Sequence, residues 1–278
     1  MRKFYLTNAK GKTIDLQSRS DILLYNQNGL GYAEDANYVR IRNSYFLTSK
    51  FIKQHEIDCR LVFSGEDFYK KYYDFVRFCQ DTPLILRYEI HGTYFLEVRL
   101  AEITKTQGVS NLHMLCDVKF VASGLFYQLV SRYVEPAVVT DLPTYPYVYD
   151  DVYPPEALQS VVVESDSELE SPCKITIYGE ATNPEWRHYV NGQLAEIGRY
   201  TGTIATGHTL VIDSTTIPYS IIEYDGGGQV VADRYAGCDF STDRFFHLQR
   251  GNNRISVSHD GINSLALKVE GKIEYASV

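Results

Sequence analysis

The sequence is poor in the residue patterns that mark chemistry. Its five cysteines, Cys59, Cys79, Cys116, Cys173 and Cys238, contain no Cys-x-x-Cys pair, which removes the usual start of a zinc knuckle or a redox motif, and the odd count argues against a secreted disulfide scaffold. Each lies in or beside an apolar run, as a small buried hydrophobe in a reducing compartment does. None of the seven histidines forms His-x-x-x-His or neighbours a second at ligand spacing, so no metal site is expected. Gly-x-Ser-x-Gly is absent, because Ser123-Gly124 lacks the glycine two positions before the serine. The run Asp225-Gly226-Gly227-Gly228 follows a strand-like segment as a phosphate loop would, but no Gly-Lys-Ser/Thr follows it, and QVVAD continues it as a hairpin turn would. Some pair among the 35 acidic residues could be nominated for glycosidase chemistry, yet separation in space decides that and no local motif selects a pair. No catalytic residue, cofactor or metal ligand is assigned, and the chain is not expected to be an enzyme.

Positive charge is also scarce. With 27 basic against 35 acidic residues the formal charge is −8, which disfavours a domain that holds nucleic acid through its phosphates. No apolar run approaches the ~20 residues of a membrane span, and MRKFYLTNAKGKTIDL turns polar after Leu6 without a signal-peptide core. The product is expected to begin in a cytoplasm. One Trp and two Met stand against 23 Tyr and 13 Phe, a balance that favours pleated surfaces over helix bundles. The 278 residues suffice for two domains with their own cores.

Short β-type runs (FYL, KTIDL, DILLY, YVRIRNSYFL) fill the first 58 residues, with NQNGLGYAEDAN between them as a loop. After the strand IDCRLVF, the residues Phe68, Tyr72, Phe75, Val76 and Cys79 share one helical face. Ser64 is the expected N-cap, with Glu66 and Asp67 in the first turn and Pro83 as the stop. A lone helix among strands implies that it covers a sheet. Three alternating runs follow (LILRYEI, TYFLEVRLAEI, LHMLCDVKFVA), expected as an antiparallel meander. LFYQLVSRYV fits either a helix or a strand. Residues 140–158, crowded with proline and tyrosine, read as a linker. The expected division is 1–139, 140–158 and 159–278. The last part shows short strands with turns at Asn183-Pro184, Asn191-Gly192, Gly207, Gly226–Gly228, Gly251-Asn252-Asn253 and Asp260-Gly261, the spacing of a β-sandwich without helices. Trp186, placed in a turn by Pro184, is weighed as a sugar-stacking platform against the commoner role of packing anchor.

The phrases Asn183-Pro184-Glu185-Trp186, Val190-Asn191-Gly192, the strand Thr209 to Asp213 and Phe246-His247-Leu248-Gln249-Arg250-Gly251-Asn252-Asn253, with Asn8 and Gly11 after the first strand, carry a resemblance. Together they resemble the distal tail proteins (Dit) of long, non-contractile-tailed phages and prophages of Gram-positive bacteria, over essentially the whole chain. The resemblance implies a mainly β fold: an N-terminal β-sandwich or barrel-like belt domain with one helix, and a C-terminal galectin-like β-sandwich. It also implies a hexameric ring at the distal end of a virion tail, assembled in the host cytoplasm. Its expected partners are further copies of itself, the tail tube protein, and a tail-associated lysin, tail fibre or receptor-binding protein. DNA is expected to pass through the channel without specific binding, the acidic balance repelling phosphate. Galectins carry Trp-Gly-x-Glu where Arg187 and His188 follow Trp186 here, so the sandwich is expected to serve as a docking platform, with host cell-wall polysaccharide as the alternative ligand. The runs between Leu84 and Ala122, as pairing edges, and the 24–38 loop are expected to form the contact between subunits. Tyr145, Tyr147, Tyr149 and Tyr153 are expected at contacts between domains or subunits, because tyrosine buries area while keeping a polar end.

Overall fold

The computed structural model describes residues 2–19, 21–105, 112–136, 159–261 and 264–278. The chain divides into two compact units, Met1–Gln128 with Glu274–Val278, and Leu129–Ile273. Among the described residues no helix is long and apolar enough to cross a membrane.

The first unit holds the strands β1 (Lys3–Thr7), β2 (Thr13–Asp15), β3 (Ile22–Asn28), β4 (Glu34–Ile41), β5 (Ser44–Ile52), β6 (Glu56–Ser64), β7 (Leu84–Glu89), β8 (Thr93–Ile103) and β9 (His113–Ala122), the helix α1 (Phe68–Gln80), and the start of β10 (Phe126–Val134). Seven of them form an antiparallel sheet in the order β2-β1-β7-β8-β9-β6-β3. A bridge between Gln17 and Leu23 joins the chain beyond β2 to β3, so the two ends of the sheet meet and the strands enclose their core. Alternation drives this: Leu84, Leu86 and Tyr88 of β7, Leu96 and Val98 of β8, and Met114, Cys116, Val118 and Phe120 of β9 are all buried. The helix adds Phe68, Tyr72, Phe75 and Cys79 to the same core, with Phe75 and Tyr72 edge-on to Phe63 of β6 at 5.7 and 5.9 Å.

Four local expectations change here. The helix begins at Phe68, later than Ser64 would place it. Its N-cap, Asp67, makes no side-chain cap, and no acidic residue lies in the first turn. Ser64 remains paired with His113 in the β6–β9 ladder, and its carbonyl accepts a 2.7 Å hydrogen bond from Lys71. The run YVRIRNSYFL is not one strand. It folds back at Arg42-Asn43, and the end of the polar stretch before it, expected to be loop, supplies the first half of β4. Arg42 takes a positive φ of 57°, a turn that neither glycine nor proline announces. Finally, the meander exists but offers no free edge: β7 lies between β1 and β8, and β9 between β8 and β6.

The second unit continues with β11 (Gln159–Ser165), β12 (Ser171–Tyr178), β13 (Ala181–Thr182), β14 (Glu185–Val190), β15 (Gln193–Arg199), β16 (Thr203–Ile204), β17 (Thr209–Asp213), β18 (Ser220–Tyr224), β19 (Val230–Asp233), β20 (His247–Leu248), β21 (Gly251–Ser258) and β22 (Ala266–Tyr275), most of which lies in this unit. One antiparallel sheet runs β11-β21-β14-β15, and another series runs β19-β18-β17-β12-β22. Phe246 belongs to both cores. Its ring stacks on His188 of β14 at 5.5 Å, while its carbonyl accepts from Ser214 and from Cys173 of β12. The Asn191-Gly192 pair has φ of 51° and 85° and turns β14 into β15, as the hairpin chemistry of Asn-Gly requires. Gly251-Asn252-Asn253, expected as a turn, opens the central strand β21 instead. Asn253 is buried there, its amide nitrogen donating to the carbonyls of Gln249 (2.7 Å) and Gly251 (3.1 Å) and its oxygen accepting from the Gln249 amide at 2.8 Å.

Candidate functional sites

The most conspicuous surface of the first unit is the β4–β5 hairpin. Among the described residues its strands pair only with each other. The register sets Val39 opposite Phe46 and Tyr38 opposite Leu47, so apolar side chains stand on both faces. Tyr38, Val39, Ile41, Phe46, Leu47 and Phe51 are each half exposed or more, and Tyr45 is 68% exposed. A two-stranded hairpin is marginal by itself in water, and large apolar residues exposed on both faces mark a segment made to be covered.

In the second unit a cavity of about 420 Å³ is lined by Asn183, Glu185, Arg187, Arg199, Thr201, Ser258, His259 and Asp260. Strands β14, β15 and β21 position most of it: Glu185 faces Arg199 on one side and Ser258 on the other. Glu185 is only 7% exposed. One of its oxygens accepts from Arg187 Nε, and the other from Arg199 Nε at 2.9 Å and from Arg199 Nη2. Burial pushes this carboxyl up, but hydrogen bonds from Arg199 and Arg187 and their charge more than offset it, holding it below its ordinary value. At the rim, Asn183 donates to Asp260 at 2.7 Å and accepts the Gly202 amide at 2.9 Å. These residues are scattered through the sequence and match no motif. Their signal was confined to polar positions alternating with Trp186 and His188 along a strand that Pro184 disguised as a turn.

Trp186, the residue singled out from the sequence, lies in β14 with its side chain fully buried. Its Nε1 donates to the Arg244 carbonyl at 3.0 Å, and Gly198 on β15 lies directly against the ring. No face of the indole is open to a sugar, so the stacking role is corrected: Pro184 does not hold Trp186 in a turn, and the alternation of β14 turns it inward. Tyr145, Tyr147, Tyr149 and Tyr153 lie outside the described residues. All five cysteines are buried and none forms a disulfide, and burial pushes the thiols of Cys59, Cys79 and Cys173 up to about 12, which keeps these three protonated at neutral pH. Two further cavities, in the first unit, include charges paired with one another in their linings: Lys10 with Asp81 at 2.7 Å, Lys71 with Asp21 at 3.1 Å, Arg60 with Asp117 at 2.8 Å.

Residues 3–123, the enclosed sheet with its helix and hairpin, match the family described as the distal tail protein N-terminal domain. The first unit therefore carries a distal tail protein N-terminal domain. Members of this family are structural tail proteins and not enzymes. Its fold also extends beyond that domain. A component of the phage P2 baseplate in its activated conformation with calcium is similar at 16% identity and a TM-score of 0.63, over 100% of both chains. The Dit protein of phage SPP1, described as a paradigm of the hub adsorption apparatus in phages infecting Gram-positive bacteria, is similar at 13% identity and a TM-score of 0.65, over 96% of this chain and 98% of that one. No curated protein matches the sequence.

Proposed function

We propose that the chain is the hub at the distal end of a phage tail, a hexameric ring joining the tail tube to the baseplate or tail tip. The observation that carries this reading is the β4–β5 hairpin, an arm apolar on both faces, set on a distal tail protein domain whose own sheet has its ends joined. With β7 to β9 interior to that sheet, strand-edge pairing gives way to the arm as the subunit contact, and the occupant that suits it is the neighbouring copy of the same chain. A heterologous contact of this kind, arm to body, generates a ring when its rotation closes. The full-length likeness of fold to the P2 baseplate component and to SPP1 Dit supports a place in the tail tip, with the tail tube protein on one side and a lysin, fibre or receptor-binding protein on the other. The C-terminal unit, galectin-like in this reading, projects as a docking platform. The charge of −8 per chain suits a channel that DNA traverses without being held.

The test is mass in solution. Six-chain particles, or paired rings, are expected for the native chain, and a collapse toward the monomer is expected when Tyr45 and Phe46 are both changed to Ser. Both positions are exposed, so the fold loses only about 0.5 kcal/mol or less at each, and an unchanged melting transition separates lost assembly from lost folding. A ring that persists in this variant removes the hairpin from the contact. A native chain that stays monomeric with its tail partners present removes the ring.

A further inference from the structure

We propose that the polar cavity of the C-terminal unit is a binding site for a neutral saccharide, held through its hydroxyl groups. The ring does not enter this argument, which rests on the cavity alone.

The first point is charge. Arg187 and Arg199 face Glu185 and Asp260 across one lining, and the formal charges cancel. A phosphate or carboxylate ligand meets a lining without net positive charge, because Glu185 sits between the two guanidinium groups and Asp260 supplies the second carboxylate. The second point is polarity. Apart from the imidazole of His259, no ring or aliphatic side chain lines the cavity, so an apolar ligand has little to bury itself against. What remains is a close mixture of donors and acceptors: guanidinium N–H groups, carboxylate oxygens, the amide of Asn183, and the hydroxyls of Thr201 and Ser258, which make no hydrogen bond to a described residue. A polyol suits such a mixture, since each of its hydroxyls both donates and accepts.

Two features make this a built site more than a chance surface. Glu185 is buried and clamps both arginines, so their planes are fixed before a ligand arrives and little side-chain freedom is lost on binding. Next to the cavity, Ser256 sits opposite Arg187 in the β14–β21 register, two residues from Ser258 and so on the same face of the strand. It is 3% exposed, and its Oγ has no hydrogen-bond partner among the described residues, a cost that native structures rarely leave unmet. The volume of about 420 Å³ falls within the ~300–1,000 Å³ of small-ligand pockets.

The experiment probes the full chain on an array of neutral, carboxylated and phosphate-bearing oligosaccharides, with affinities then measured by titration calorimetry. Neutral oligosaccharides are expected to bind. Thr201→Val and Arg199→Met are each expected to weaken binding about tenfold, the scale of one lost hydrogen bond. Val162→Ser, at an exposed position on β11, is the control and is expected to change nothing. Thr201 is exposed, so Thr201→Val retains its fold and carries the test if Arg199→Met unfolds the unit. Absence of binding to every neutral oligosaccharide overturns the proposal, as does preference for phosphate-bearing ones or affinity that Thr201→Val leaves unchanged. None of these outcomes alters the particle mass, which reports on the ring separately.

Discussion

Gly198 lacks a side chain because Trp186 occupies the space. A Cβ built there would stand 2.2 Å from the indole Nε1, a distance that a fully buried ring cannot relieve cheaply. Gly198→Ala is therefore expected to destabilise the C-terminal unit by about 1–3 kcal/mol, read as a lower melting temperature by calorimetry; an unchanged transition would contradict the packing described. Glu223 gives a second test at this scale. It is 2% exposed and accepts from His208 at 2.6 Å and from Arg234 at 2.7 Å. Burial raises its pKa, and the hydrogen bonds and charge of His208 and Arg234 lower it further than burial raises it, so the group ends below its ordinary value, as Glu185 does. A depressed carboxylate stabilises the fold above its unfolded pKa, about 4.3, and that stability is lost as the pH falls through the folded value. The melting temperature is expected to drop as the pH goes from about 5 toward 3, and Glu223→Gln to lower it at pH 7 and flatten the acid slope; an acid slope unaltered by Glu223→Gln would contradict this. At this scale the sequence showed Trp186 as notable and the cysteines as core, because burial follows residue type. It did not show Glu185 clamped by two arginines, because the second of them, Arg199, reaches it from the neighbouring strand.

The elements legible in the sequence are those whose periodicity is set by one buried face. The apolar face from Phe68 to Cys79 is the buried face of the helix Phe68–Gln80, although the start was expected earlier, after Ser64, and the alternating runs from Leu84 to Ala122 pair as an antiparallel meander. The β4–β5 hairpin was misread because neither of its faces is buried. Without a core to alternate against, Glu34–Ile41 shows no pattern, and Arg42-Asn43 reverses the chain without glycine. The meander was assigned to the subunit contact from its length and alternation, but those are equally the marks of interior strands. Only the pairing of β7 with β1 and of β9 with β6 distinguishes the two. Strand β14 was missed for a related reason: Pro184 and the Asn191-Gly192 turn leave six residues between them, enough for a strand but too few to declare one.

For the molecule as a whole, composition bounded the answer and the fold narrowed it. The tyrosine and phenylalanine excess pointed to β structure. A family-level likeness in turn phrases gave the tail. The arm had to come from coordinates, because its meaning lies in a partner that a single chain does not contain. The most direct measurement is therefore electron microscopy of the assembled particle at a resolution that traces strands. The account predicts a six-fold ring in which Glu34–Ile52 of each chain lies against the body of its neighbour, with Tyr45 and Phe46 buried there. A ring closed through other surfaces, with the hairpin left in solvent, would contradict it.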